Sequence, residues 1–233
     1  MNPAGALGDC TSGQLRENRT LTVVVPVGSI EQHGPHLPLD TDTRIAAAVA
    51  AEVAARRYLL APAVYYGASG EHQDFAGTIS IGTAALTTLL VEYGRSACDW
   101  ANRVVFVNGH GGNRDALVGA ATLLRAEGRD VAWWSCSVAG ADAHAGHTET
   151  ALLLHLSPEM VRMGEIAPGN TEPLADLMPR IRDGGVVAVS ASGVLGDPTT
   201  ATPAAGERIF AAMVSECAAQ VRRWQPGADG LLA

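Results

Sequence analysis

The chain has 233 residues and 47% hydrophobic content, enough for one large domain with a substantial core, and its formal net charge of −8 excludes an electrostatic nucleic-acid binder. Its four cysteines, Cys10, Cys98, Cys136 and Cys217, lie far apart, which leaves no Cys-x-x-Cys metal or redox pair and no reason for a disulfide framework. No stretch of about 18 uncharged apolar residues occurs, and residues 1–20 show neither a basic start nor an apolar run, so the expectation is a cytoplasmic protein without a membrane segment.

Residues 1–20 read as an N-terminal extension to a single domain that fills the rest of the chain. "LTVVVPVG" (21–28) is a nearly continuous β-branched run, as expected of a strand covered on both faces, and the Ala-rich segment 43–57 predicts a helix. The alternation then repeats: strand 59–67, helix 83–101, strand 103–109, helix 113–128, strand 130–135. A helix is expected from about residue 146, then a loop-rich segment marked by Pro168, Pro173 and Pro179, and a last helix from near Pro203 to near Trp224. Successive strand-helix units imply right-handed crossovers and a mainly parallel sheet between helices, an α/β sandwich of three layers.

Ligands of such sheets bind beyond the carboxyl ends of the strands. Six of the seven histidines lie in the four loops that follow strands: "GSIEQHGPHLPLDTD", "GASGEHQDFAGTIS", "NGHGGN" and "GADAHAGHTET". In the first loop, alternation along an extended chain points Glu31 and His33 the same way, so both can face one ion, and mixed carboxylate and imidazole donors suit Zn, Mn or Fe. Asp40 and Asp42 precede or open the next helix, and for Asp40 a capping role is favoured over ligation. Glu71 and His72 line a pocket or tie down a lid. His110 sits at a strand end between glycines, where a ligand loop is favoured over a phosphate cradle because no G-x-x-x-x-G-K-[ST] signature and no Lys is present. Asn108 and Asn113 either fix that loop or touch substrate. His144, His147 and Glu149 open a helix; alone they could be a capped turn, and with the other three loops they form a site.

Together these stretches resemble the creatininase family of metal-dependent amidohydrolases, over about residues 21–158. "LLVEYGRSA" and "GVLGDPTTAT" extend the likeness across nearly the whole chain and look closest to a branch that processes a modified, ribosomally made precursor peptide. The resemblance implies a three-layer α/β/α fold and a centre of two divalent cations (Zn or Fe, with Mn also tolerated). Glu31 and His110 would hold the first, His33 the second, and Asp42, eleven positions after Glu31, would bridge them. In creatininase proper, a Glu two residues after the NGH histidine completes the second metal; here Gly112 stands there, and Glu149 is the candidate replacement. The creatininase Glu before the histidine of the "HAGHTET" loop is also missing, replaced by Ala143, which argues against creatinine as substrate.

What the resemblance implies mechanistically is attack of a metal-activated hydroxide on an amide, with His144 donating a proton to the departing nitrogen. The implied amide lies just before the modified C-terminal Val-Tyr unit of the precursor peptide. Glu71, His72, Asn108 and His147 would contact this substrate, and the assembly implied is a homo-oligomer, a hexamer or similar. Two rivals stand beside this. One is another amidase of the family, such as a formylamino-pyrimidine nucleotide deformylase, against which the scarcity of Arg in the strand-end loops argues. The other is a metal-storing or metal-sensing protein, which would need a closed coordination shell.

Overall fold

In the computed structural model, which describes residues 5–16, 20–55, 57–138 and 140–233, the Val-rich segments become the middle of a parallel sheet. The strands are β1 (Gly5–Ala6), β2 (Thr22–Val27), β3 (Leu59–Leu60), β4 (Arg103–Asn108) and β5 (Val131–Ser135), in the order β1-β3-β2-β4-β5. The helices are α1 (Ser12–Arg16), α2 (Thr41–Ala54), α3 (Gly82–Ala97), α4 (Arg114–Ala126), α5 (His147–Leu156), α6 (Leu174–Gly184) and α7 (Pro203–Arg223).

Because side chains alternate along a strand, each central strand feeds two cores. Val23, Val25, Val27, Val104 and Phe106 pack under α3 and α4. Val24, Val105, Val107, Ala132 and Trp134 pack under α2, α5 and α7. That is the expected three-layer sandwich, and burial of both strand faces is why these segments read as apolar runs rather than alternating ones. The register runs Thr22 against Arg103 through Val27 against Asn108, so β2 and β4 end together. From β2 the chain crosses to β3 on one side and later returns to β4 on the other, so the crevice beyond Val27 and Asn108 is a topological switch point. Among the described residues no helix is long and apolar enough to cross a membrane.

Three expectations are corrected, and the N-terminal extension joins the sheet. The strand expected over 59–67 shortens to Leu59–Leu60: Pro62 has no N–H for the ladder, and pairing returns only at an isolated bridge between Val27 and Val64. The loop-rich segment contains α6, an eleven-residue helix with Pro179 inside it. Leu177 and Ile181, four apart on one face, are buried there and outweigh the hydrogen bond that Pro179 cannot make. The N-terminal extension contributes β1, which pairs with β3 at the sheet edge; residues 1–4 and 17–19 of it lie outside the described residues. The helix expected over 43–57 begins earlier, at Thr41, and ends at Ala54; Arg56 lies outside the described residues.

Candidate metal centre

The loop after β2 carries the first residues to the switch point. Glu31 N–H donates to Leu39 O (3.0 Å) and His33 bridges Leu37, so the loop folds back on itself before α2 begins. Asp42, in the first turn of α2, is 2% exposed and accepts a hydrogen bond from the Ser29 hydroxyl at 2.6 Å. Asp40 stands at the capping position but makes no cap; its carboxylate accepts from Arg44 Nε at 2.7 Å. The cap expected of Asp40 is thus corrected to an ion pair with Arg44, and Asp42 is the carboxylate that reaches His33 and His110.

The loop after β4 brings in His110. Asn108 Nδ2 donates to His110 O (2.6 Å), and Asn113 Nδ2 donates to both Asn108 Oδ1 (3.1 Å) and Gly28 O (2.9 Å), tying this loop to the one after β2. Both asparagines thus spend their amides inside the loop framework. Asn108, expected at the substrate, is 2% exposed and does not line the cavity described below.

These four side chains converge. His110 Nδ1 lies 3.1 Å from Glu31 Oε2 and 3.2 Å from Asp42 Oδ2, and His33 Nε2 lies 3.1 Å from Asp42 Oδ1. Glu149, in the first turn of α5, places Oε2 3.9 Å from His33 Nε2. Glu31, His33 and Asp42 offer donor atoms within 4.8 Å of one another, as do His33, His144 and Glu149, and Glu31, His72 and His144. Glu31 is fully buried, yet neither of its oxygens accepts a hydrogen bond. A buried carboxylate without such bonds is costly, and a cation is what removes the cost.

Charge is distributed accordingly. Burial pushes the Glu31 carboxyl up, but the neighbouring His110 outweighs it and holds the group down to about 2. Burial pushes His33 down, but the Asp42 carboxylate raises it to about 10, and Glu31 likewise raises His110 well above the ordinary imidazole value. Burial raises Glu149 to about 7 and drives His144 well below the usual range. In the metal-free chain, protons on His33 and His110 therefore supply the positive charge the carboxylates require.

Three histidines tie one ring nitrogen to a backbone carbonyl and turn the other inward. His33 Nδ1 donates to Glu31 O (3.1 Å), His110 Nε2 to Ala68 O (3.3 Å) and His144 Nε2 to Gln32 O (2.8 Å). That is the usual way a protein orients a metal-binding imidazole. It leaves His144 Nδ1, 3.7 Å from Glu31 Oε1, as a lone pair facing the centre, so the proton donation expected of His144 requires that it first take a proton.

Gly112 also acquires a reason. A Cβ there would meet Ala68 O, Glu71 Oε1 and His110 Nε2, each at 2.5 Å. The Glu71 carboxylate, 3.4 Å from His110 Nε2, occupies the room a side chain at 112 would need.

A cavity of about 680 Å³ opens beside the centre, with Glu71, His72, His110, His144 and Glu149 on one wall. Leu174, Met178, Ile181 and Arg182 of α6 also line it, a contribution the sequence conceals because prolines mark that segment as loop. Arg114 also lines the cavity, so the scarcity of Arg in the strand-end loops does not leave it without guanidinium groups: two border it, one just past the glycine loop and one on α6. His147 does not line it; its Nδ1 lies 2.8 Å from the Thr200 hydroxyl.

The family model for creatinine amidohydrolase matches residues 8–221. The mycofactocin precursor peptide peptidase of Mycolicibacterium smegmatis is 64% identical, over 99% of this chain and 95% of its own. The protein of that name from Mycobacterium tuberculosis is 62% identical, over 98% and 95%. Among solved structures, a creatininase variant of Zn-Zn type superposes with a TM-score of 0.79 at 27% identity, over 95% of this chain and 98% of that one. A creatininase with Mn gives 0.78 at 27% identity, over 95% and 99%. A formylamino-pyrimidine nucleotide deformylase of Methanothermobacter thermautotrophicus is more distant, 34% identical over 62% of this chain and 63% of its own.

Proposed function

The chain belongs to the creatininase family and is a hydrolase of amide C–N bonds, and from that premise we propose that it cleaves the peptide bond before the modified C-terminal Val-Tyr unit of the mycofactocin precursor peptide. The observation that carries this reading is the convergence of Glu31, His33, Asp42 and His110 around carboxylate oxygens that accept no hydrogen bond, beside an open cavity. A storage or sensing protein has no use for that opening.

Glu31 and His110 would hold one divalent cation, His33 and Glu149 the other, with Asp42 between them. The donors are imidazole and carboxylate without thiolate, which fits Zn, Fe or Mn. Bound there, the two cations supply the Lewis acidity that lowers the pKa of a water and polarises the scissile carbonyl. His144 Nδ1 accepts the proton released by the attacking water and returns it to the departing nitrogen, which leaves as a neutral amine. Burial keeps that imidazole neutral, so its Nδ1 lone pair is unprotonated before the water attacks. Leu174, Met178 and Ile181 of α6 offer an apolar wall for the Val and Tyr side chains.

Arg114 and Arg182 would also suit a phosphate, so the nucleotide deformylase reading is weakened by its distant relatedness rather than by the cavity. Mass spectrometry after mixing the metal-loaded protein with the modified precursor peptide, or with the formylamino-pyrimidine nucleotide, decides between them. Release of the C-terminal unit from the peptide alone is expected; deformylation without peptide cleavage refutes the proposal.

A further inference from the structure

His72 departs from the pattern of the other three histidines at the centre. It is 3% exposed, is expected from the sequence to contact substrate, and puts Nε2 3.4 Å from Glu31 Oε1. Its outer nitrogen, Nδ1, meets no carbonyl; it lies 2.8 Å from Nε2 of the Gln32 side chain.

The orientation of that amide follows from backbone groups that have one role each. Gln32 Oε1 lies 2.8 Å from Gly34 N–H, which only donates. Gln32 Nε2 lies 3.2 Å from Gly193 O, which only accepts. A flipped amide would lose both bonds, so the group facing His72 is the NH₂. His72 Nδ1 must then accept, and the neutral ring carries its proton on Nε2, the atom that faces Glu31. The same residue's backbone carbonyl takes the Nε2–H of His144 and leaves that ring with an inward lone pair. Its backbone N–H is anchored in turn by the Thr78 hydroxyl at 3.1 Å.

We propose that Gln32 is a positioning residue that sets two neighbouring histidines in opposed roles: His72 presents an N–H to the reaction centre and His144 a lone pair. His72 is thereby removed from the metal-ligand set despite its proximity to Glu31 and His144, and is available as a hydrogen-bond donor to the oxygen of the scissile carbonyl as charge develops there. The ring centroids of His72 and His144 are 4.4 Å apart, so donor and acceptor address the same small volume. The inference rests on the proposed hydrolytic centre but not on the identity of the peptide.

The test is a long-range proton–nitrogen correlation spectrum of zinc-loaded protein labelled with ¹⁵N-histidine, with resonances assigned from His72→Gln and His144→Gln. The wild type is expected to show His72 protonated at Nε2 and free of zinc. In Gln32→Glu, the carboxylate accepts from the ring and the His72 proton moves to Nδ1. Zinc content and KM should hold while kcat falls about 10²-fold, the loss typical of removing one donor to a developing oxyanion. A wild-type His72 protonated at Nδ1, or with Nε2 bound to zinc, overturns the proposal, as does a folded Gln32→Glu with full kcat. Should that variant fail to fold, the wild-type spectrum alone decides. The spectrum needs no substrate, so a wrong peptide assignment leaves it unchanged and the two failures are distinguishable.

Discussion

Glu31 concentrates the logic of the site in one side chain: a carboxylate with 0% exposure whose oxygens accept no hydrogen bond, compensated in the metal-free chain by a proton on His110. The imidazoles must give up those protons to become ligands. His33, raised to about 10, and His110, raised well above its ordinary value, both hold a proton at neutral pH, so metal binding is expected to release about one proton from each. Affinity should therefore rise with pH across the neutral range, and calorimetry in buffers of different ionisation enthalpy reads the release directly; zero release contradicts the assignment. Gly112 gives a second prediction. Gly112→Glu restores the residue type of creatininase proper, but its Cβ collides with Glu71 Oε1 and His110 Nε2 and drives Glu71 off the ligand. Metal affinity is expected to fall about 10–100-fold, the usual cost of losing such a supporting partner, and elemental analysis after dialysis checks it. Glu31, His33 and His110 stand out in the sequence because ionisable residues are conspicuous at strand ends in a chain only 17% charged, whereas Asp42 is separated from Asp40 only by the resemblance to the creatininase family. Gln32 does not stand out: it sits between two ligands, carries no charge, and meets partners 40, 112 and 161 positions away.

The elements were legible where one periodicity dominates and obscured where a proline breaks it. The central strands and α2 to α5 follow from Val-rich runs and Ala-rich stretches, whereas α6 is hidden by Pro173 at its start and Pro179 within it. Only its buried pair, Leu177 and Ile181, packed with Val186 and Leu195, reveals why it forms, and that cluster is a tertiary fact. The helices that hold Glu149 in place depend on an equally unmarked residue. Gly206, in the first turns of α7, has no room for a Cβ, which would overlap Ala151 O and lie 2.9 Å from the His155 Cβ of α5. The two helices cross backbone to backbone there. Gly206→Ala is therefore expected to destabilise the fold by about 1–3 kcal/mol, although alanine is the better helix former, because overpacking outweighs propensity. Urea denaturation checks it: a midpoint at or above wild type would mean that the helices separate without cost. Since α5 carries Glu149 in its first turn, the same variant should also weaken metal binding.

At the scale of the molecule, the sheet order makes the centre. Residues from the loops after β2, β3, β4 and β5 meet only because β2 and β4 are neighbours that end in register while the chain visits β3 between them. The three-layer fold could be read from the strand-helix alternation, and the family from the motifs; which loop faces which could not, because neighbourhood in the sheet is not order in the chain. One consequence is thermodynamic. Ligands drawn from such distant segments are brought together in the folded state and dispersed in the unfolded one, so metal binding and folding are linked. With free metal at a hundred times its dissociation constant, the linkage stabilises by about 2.7 kcal/mol. For a chain of this length that corresponds to a rise in melting temperature of about 5–10 °C. Zinc titrated into the demetallated protein should raise the midpoint progressively, and a chelator should reverse the shift. In Glu31→Gln the metal-free protein should melt lower than the wild type, because the buried pair of the Glu31 carboxylate and protonated His110 is broken, and the response to zinc should shrink, because Glu31 would hold one of the two cations while His33 and Glu149 keep the other. A variant that gains as much stability with zinc as the wild type would mean that Glu31 holds no cation, and the convergence of Glu31, His33, Asp42 and His110 would then need another explanation.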